Sequence, residues 1–410
     1  MNVAVGSIVA RTIAELAAAL RDASARGRPV VPWGAGTLQH LGRPPAPEAL
    51  ALRTTALSRI VEYNPADLTI TVEAGVSLGA IQDALRPHGQ WLPWDPPAPD
   101  DATIGGLLAA GASGPLRLGY GTPRDWALGM RVALGDGRLV KSGGKVVKNV
   151  AGYETHKLHV GALGTLGVIA EVTLKVAPLP ERIRSLVLAC RSREDALALA
   201  ERLREPPLAP VSLALSNSAA DQQGRWLVAA RFSGAAAAVE RQLGIAVAQA
   251  SGATTVAQSA EQSQAFWQKL ARFSRPDTLP SPAHGSGAGG EALIIRAGTR
   301  PAALPHLLES LERHAPAETT TRVAGYGGVG LAYARWYLTA ARYDSAITAI
   351  AELRAALAAV GGYAVVEDAP AELRVQIDLW GPPPPALALM RALKAQWDPR
   401  GVLNRGRYIV

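Results

Sequence analysis

Two rhythms of apolar and polar positions run along this chain. Apolar residues at helical spacing predict helices over 12–26, 78–86, 192–204, 235–251, 262–273, 302–314 and 343–360. The first opens at Thr12, whose hydroxyl suits a free helix N–H, and closes at Gly27. Short apolar or alternating runs predict strands over 28–32, 49–53, 68–73, 130–134, 138–141 and 168–176. Gly135-Asp136-Gly137 makes two of these a hairpin.

Pro178-Leu179-Pro180 reads as a boundary. Beyond it the predicted strands are 185–189, 211–216, 226–232, 293–296, 319–324, 331–338 and 363–366. Strand, helix, strand, strand, helix therefore occurs twice, which predicts one antiparallel sheet backed by helices and an α+β fold class. Residues 274–290, rich in Ser, Pro and Gly, read as a mobile loop. A proline run at 382–385 precedes a last helix and the tail 397–407.

One stretch carries no charge at all: Thr103-Ile104-Gly105-Gly106-Leu107-Leu108-Ala109-Ala110-Gly111-Ala112-Ser113-Gly114. Glycine costs about 1 kcal/mol relative to alanine inside a helix, so several at one helix start need a reason. Two readings stand side by side. The helix is tightly packed in a core, or a large ligand lies against its backbone. In the second, Thr103 caps the start and free N–H groups face an anion such as a diphosphate.

Composition narrows the class. The chain has 410 residues, 48% hydrophobic and 19% charged, enough for two or three globular domains. A net charge of +8 suits anionic ligands or partners. The basic residues are scattered and no basic-aromatic module is present, which argues against a nucleic-acid face. Cys190 is the only cysteine, so neither an internal disulfide nor a cluster ligated by this chain alone can form. No uncharged apolar stretch is long enough to span a membrane, and residues 1–12 lack the basic start and apolar core of a signal peptide. The expected compartment is the cytoplasm.

Four glycine-rich segments follow one another in the first half. Trp33-Gly34-Ala35-Gly36-Thr37 starts like a dinucleotide fingerprint, but the third small position holds Gln39 and Leu41-Gly42-Arg43-Pro44-Pro45 cannot open a helix. A backbone cradle for an anion, or a plain tight turn, remains. Next come Tyr120-Gly121-Thr122-Pro123-Arg124-Asp125 and Gly143-Gly144-Lys145-Val146-Val147-Lys148-Asn149-Val150-Ala151-Gly152-Tyr153. The fourth is Gly161-Ala162-Leu163-Gly164-Thr165-Leu166-Gly167-Val168-Ile169. Arg117 and Arg124 suit a phosphate or a substrate carboxylate, and Arg124 equally suits a structural acid.

In this order the segments resemble the FAD-binding domain of the vanillyl-alcohol oxidase / p-cresol methylhydroxylase family. Lys148-Asn149-Val150-Ala151-Gly152-Tyr153 and Gly164-Thr165-Leu166-Gly167-Val168 resemble, within it, the FAD-binding (E) subunits of bacterial glycolate oxidases. Asp398-Pro399 and Leu403-Asn404-Arg405-Gly406-Arg407 resemble the family's closing motif. The resemblance implies an FAD-binding domain over 1–182, in two α+β subdomains of about 1–60 and 61–182. It implies a cap domain over 183–375 and a segment 376–410 that returns to the FAD-binding domain. It places Trp33, Gly34, Ala35, Gly36, Thr37, Leu38 and Gln39 around the diphosphate, with Thr103, Gly105 and Gly106. Ala109, Ser113 and Gly114 are implied beside the flavin and ribityl chain, with Gly121, Arg124 and Asp125 in the same neighbourhood. Gly164, Gly167, Val168 and Ile169 are implied at the adenine side or ring edge, and Asn404 at the flavin mouth. Covalent members commonly carry His in the first loop; Thr37 stands here, which implies FAD held non-covalently. His40, three residues on, reads as structural or surface, and Cys190 as a small core residue.

Oxidising a 2-hydroxy acid needs a base for the hydroxyl proton, a cation for the carboxylate, and flavin to accept the hydride. The cap offers His284, His306 and His314, whose spacing does not assemble a metal site. Leu163 stands where the family's Glu-Gly-Thr-Leu-Gly pattern has its acid. His156 and His159 are the only histidines beside the flavin motifs, and His156 serves either as a base or in a core or surface role. The resemblance thus implies an FAD-binding subunit of a glycolate oxidase complex. A second flavoprotein and an iron–sulfur subunit would be its partners, and association with the inner face of a membrane would run through them. Two other functions remain open: a self-sufficient FAD-dependent 2-hydroxy-acid dehydrogenase, with Arg124, Arg322 or Arg335 holding the carboxylate, and a scaffold that has lost its cofactor.

Overall fold

Thr12 caps the first helix, Ile13–Ala25, through an acceptor bond from the Glu15 N–H. Leu16, Leu20 and Ala23 of that helix join Val30, Leu52, Leu57, Val168, Val402 and Leu403 in one core. Each fully buried leucine contributes about 1.5–3 kcal/mol. In this computed structural model, residues 6–97, 100–146, 152–217, 225–250, 252–256, 259–276 and 291–410 are described. Lys148, Asn149, Val150, Ala151 and His284 lie outside them, as does most of the loop expected at 274–290.

The chain divides into two units. The first holds Met1–Ser113, Gly121–Leu179 and Pro382–Val410; the second holds Gly114–Tyr120 and Pro180–Gly381.

In the first unit, Gly6–Val9, Leu50–Arg53 and Val30–Trp33 form a parallel three-stranded sheet with Leu50–Arg53 in the middle. A five-stranded antiparallel sheet runs Ile60–Asn64, Thr69–Glu73, Val168–Lys175, Ala127–Ala133, Leu139–Gly143. The two outer strands expose much of their surface, while Thr69–Glu73 is buried throughout. The expected hairpin is the pair Ala127–Ala133 and Leu139–Gly143.

The second unit is one eight-stranded antiparallel sheet. Its order is Thr254–Thr255, Arg182–Cys190, Trp226–Gly234, Ser212–Ser216, Thr320–Tyr326, Leu331–Leu338, Glu291–Gly298, Tyr363–Asp368. The two expected β-α-β-β-α repeats are its halves. They join where Ser212–Ser216 pairs with Thr320–Tyr326, Ala214 opposite Tyr326. Strand alternation separates two faces. Leu186, Leu188 and Cys190 pack with Leu199, Val239, Leu308 and Leu353 of the helices, whereas Val187 and Ala189 pack with Phe266 and Trp267. The α+β class and the antiparallel cap sheet are as the sequence predicts.

Candidate functional site

All the residues of one open cleft, about 750 Å³ including its mouth, belong to the first unit. Strand Val30–Trp33 ends in the first wall, the loop 34–41. Arg407 holds that loop from beneath. Its buried guanidinium donates to the carbonyls of Gln39 (2.7 Å), Leu41 (3.0 Å) and Arg43 (2.9 Å), and to Gln39 Oε1 (2.7 Å). Gln39 in turn donates from Nε2 to the Pro32 carbonyl at 3.0 Å. A planar five-donor group can gather several carbonyls at once. Among the described residues the backbone N–H groups of residues 34–38 have no hydrogen-bond partner. A run of such donors is the chemistry an anion needs.

The second wall is the helix Ile104–Ala110, shorter than the run of small residues suggested. Gly111 stops it in the left-handed conformation at φ 63°, its N–H returning to Leu107 and Leu108. Two expectations need correction here. Thr103 makes no side-chain cap bond. The N–H groups of Ile104 and Gly105 are taken by the Val76 (2.8 Å) and Ala74 (2.9 Å) carbonyls, so they are not free for an anion. Gly105 is small because a Cβ there would lie 2.7 Å from Ala74 Cβ. Gly34 is small for a related reason: its Cβ would lie 2.1 Å from Thr103 Oγ1. The core-packing reading therefore explains Gly105. Gly106, Ala109 and Ala110 line the cleft.

The third wall, Leu163–Gly164 and Gly167–Ile169, is bonded to the end of that helix. Gly161 N–H reaches Leu108 O at 2.9 Å, and Leu163 N–H reaches Ala109 O at 2.8 Å. Leu163 is itself left-handed, at φ 50°, and its carbonyl accepts from Asn404 Nδ2. Asn404, also left-handed at φ 45°, is fixed by its N–H to Val30 O at 2.8 Å. Behind it, buried Asp398 accepts from the Val402 (3.0 Å) and Leu403 (2.8 Å) N–H groups. Lys394 joins Asp398 at 2.6 Å and donates to Thr165 O and Leu403 O. The tail is thus part of the cleft.

Of the residues singled out in the sequence, Trp33, Gly34, Ala35, Gly36, Thr37, Leu38, Gln39, Thr103, Gly105, Gly106, Ala109, Gly164, Gly167, Val168, Ile169 and Asn404 come together around this cleft. Ser113, Gly114, Gly121, Arg124 and Asp125 are not among its lining residues, and Gly114 groups with the second unit. Asp125 accepts from Thr122 N–H (2.7 Å) and Oγ1 (2.8 Å) in a capping box over the short helix Pro123–Trp126. Those bonds hold its carboxyl below the usual range despite some burial. Arg124 is exposed on the same turn.

His156 is a buried core residue rather than a base in the cleft. Nε2 donates to Ala127 O at 3.2 Å, Nδ1 lies 3.3 Å from Ser142 Oγ, and burial lowers its pKa. In the second unit Arg335 spends its guanidinium on the carbonyls of Phe273, Arg272 and Arg275. His314 Nδ1 lies 2.9 Å from Ser310 O within its own helix turn. The sequence reading missed Pro32, Leu41, Thr54, Ala110, Leu163 and Arg407 as cleft residues. Of these Ala110, Leu163 and Arg407 carried a signal, since each lies within a motif already singled out.

Among the described residues no carboxylate or imidazole lines the cleft, and the one guanidinium that does, Arg407, is engaged by the loop. The cleft is suited to holding a large ligand with an anionic centre, with unpaired N–H groups on one wall and glycine or alanine backbone on the others. FAD fits that description.

Residues 6–143 match the FAD binding domain family, and residues 179–408 match the C-terminal domain of FAD linked oxidases. Glycolate oxidase subunit GlcE of Escherichia coli is 33% identical over 73% of this chain and 84% of that protein. Glycolate oxidase subunit GlcD of Bacillus subtilis is 36% identical over 47% of this chain and 40% of that protein. A D-lactate dehydrogenase of Archaeoglobus fulgidus is 35% identical over 45% of this chain and 41% of that protein. A solved structure of alkyldihydroxyacetonephosphate synthase superposes with a TM-score of 0.74 over 98% of this chain and 77% of that one, at 16% identity, which speaks to the fold alone. The chain therefore belongs to the FAD-linked oxidases, as an FAD-dependent oxidoreductase of the p-cresol methylhydroxylase type.

Proposed function

We propose that this chain is the FAD-binding subunit of a glycolate oxidase complex. It supports oxidation of glycolate to glyoxylate and passes electrons toward an iron–sulfur subunit. The observation that carries this reading is likeness to GlcE over 84% of that protein, against about 40% of GlcD, combined with a cleft whose described lining residues include no carboxylate or imidazole. Residues 1–182 with 376–410 would form the FAD-binding domain and 183–375 the cap.

FAD, when bound, supplies the two-electron acceptor for the reaction. The chain's own residues do the holding. Loop 34–39 would take the diphosphate on the unpaired N–H groups of residues 34–38, Gly106 and Ala109 would give a bare surface, and Gly164, Gly167, Val168, Ile169 and Asn404 would close the far side. The cofactor would be held without a covalent bond, in keeping with Thr37 in the first loop and with neither His nor Cys among the described lining residues. A second flavoprotein would bring the acid–base groups, and a cysteine-rich chain the cluster. Any attachment to the inner face of a membrane would run through partners, since no described helix is long and apolar enough to cross one.

The test is anaerobic addition of glycolate to the purified, FAD-loaded chain, alone and with the second flavoprotein subunit. We expect one FAD per chain, no bleaching of the visible flavin bands alone, and bleaching in the complex. Bleaching by glycolate or D-lactate with this chain alone would replace the reading with a self-sufficient dehydrogenase. Failure to retain or bind FAD would leave a scaffold.

A further inference from the structure

Every N–H of the buried Arg407 guanidinium has an acceptor within the first unit. Nε donates to Arg43 O, and Nη2 donates to the carbonyls of Gln39 and Leu41. Nη1 donates to Gln39 Oε1 at 2.7 Å and to Asn404 Oδ1 at 3.4 Å. A guanidinium carries five donors, so none is left over for a ligand. Arg407 lines the cleft, yet it can act on a bound molecule only through the loop it grips.

The grip is centred on Gln39. That residue offers Arg407 both its side-chain and its main-chain oxygen, each at 2.7 Å. Its Nε2 reaches back to Pro32 O at 3.0 Å and its N–H to Gly36 O at 3.3 Å. Gln39 thus closes the turn from its end to its start, and the unpartnered N–H groups of residues 34–38 lie within that closed turn. Backbone bonds reinforce the same junction. Arg43 N–H donates to Arg407 O at 3.2 Å, and Asn404 N–H to Val30 O at 2.8 Å, on the strand that feeds the turn. A turn left unanchored would have to be ordered when a ligand binds, and that ordering would be subtracted from the affinity.

We infer that Arg407 is the positioning residue for the cofactor's diphosphate. Through Gln39 it fixes the turn before FAD arrives, and it spends no donor on the cofactor itself. The inference rests on the reading that loop 34–39 takes the diphosphate. Lysine would keep the charge but lose the arrangement, because a point charge with three donors cannot span five acceptors.

The experiment titrates the full chain, stripped of flavin, with FAD and with riboflavin, followed by quenching of flavin fluorescence. Riboflavin shares the ring and ribityl chain and lacks the diphosphate. Arg407→Met should weaken FAD by about 30-fold or more and riboflavin by about threefold or less. Arg407→Lys should still weaken FAD by about tenfold or more. Gln39→Leu leaves the tail's Lys394–Asp398 pair intact and should weaken FAD by about fivefold, which keeps the inference testable if Arg407→Met does not fold. The double variant should bind FAD within about twofold of Arg407→Met alone, because both changes break one junction. FAD affinity within about threefold of the parent in either Arg407 variant would overturn the inference. So would equal weakening of FAD and riboflavin, or additive effects of the two positions. Gly34→Ala separates the two readings. If it weakens FAD while the Arg407 variants do not, only this inference falls; if none of the variants responds, the diphosphate reading of the loop falls with it.

Discussion

Single atoms decide most of what the cleft can do. Gly34 has no room for a methyl group, since a Cβ would meet Thr103 Oγ1 at 2.1 Å. Gly34→Ala should therefore displace the loop or Thr103 at a cost of about 1–3 kcal/mol, weakening FAD by about 10- to 100-fold in a fluorescence titration. An unchanged affinity would mean that the loop and Thr103 do not set the diphosphate wall. His159 gives a pH prediction. Burial lowers its pKa from 6.5 to about 4, so between those values the unfolded chain binds a proton that the folded chain does not. Its contribution is full above 6.5 and is lost as pH falls toward 4, about 3 kcal/mol in all. Urea midpoints at pH 7 and 4.5 should fall less in His159→Phe than in the parent. Some slope should remain, because burial lowers His156 in the same direction. At this scale the sequence is only partly readable. The glycines of the first loop announce themselves, but Arg407 reads only as the last residue of the tail motif, with no partner named, until the fold brings it to Gln39, 368 positions away.

At the scale of elements, periodicity is readable wherever one face is buried. Leu331–Leu338 alternates between two cores and falls where its pattern puts it. Strand Ile60–Asn64 escapes a periodicity search because it is a largely exposed edge strand, with Ile60 and Val61 both open to solvent. The helix at 104–110 is overextended in the sequence reading because small residues continue past Gly111, whose left-handed backbone stops it. The join between the two cap repeats, Ala214 against Tyr326, is a long-range pairing that no local pattern encodes. The tail element carries a direct prediction. Asp398→Ala would leave the partly buried Lys394 ammonium without its counter-ion, held only by the Thr165 and Leu403 carbonyls, and would unpair two backbone N–H groups; it should destabilise the first unit by about 2–4 kcal/mol. It should also free the segment that carries Asn404 and Arg407. Thermal unfolding, FAD affinity and proteolytic cutting near residue 400 should change together; a stable variant that keeps its FAD would show that the tail is not needed to hold the cleft.

For the whole molecule, redox chemistry is constrained by one side chain. An electron pair taken up at the cleft has to leave, and iron–sulfur clusters are held chiefly by several cysteine thiolates. This chain has one cysteine, so a cysteine-ligated cluster cannot be built within it. Cys190 is unsuited even to share one across an interface. It is buried at 3% exposure in the cap core, beside Leu199 and Val239, and burial pushes its thiol up to about 11, leaving almost no thiolate at neutral pH. Thiol and metal counts on the purified chain check this together. In native buffer at pH 7.5 a disulfide reagent should label about a tenth of a thiol per chain or less, rising to about one in denaturant, because only the exposed thiolate reacts. The same preparation should contain no stoichiometric iron. Rapid native labelling would show the cap core to be open at Cys190, and stoichiometric iron would require protein ligands other than a cysteine set. With both results as expected, any iron–sulfur relay in the proposed complex is ligated entirely by another chain.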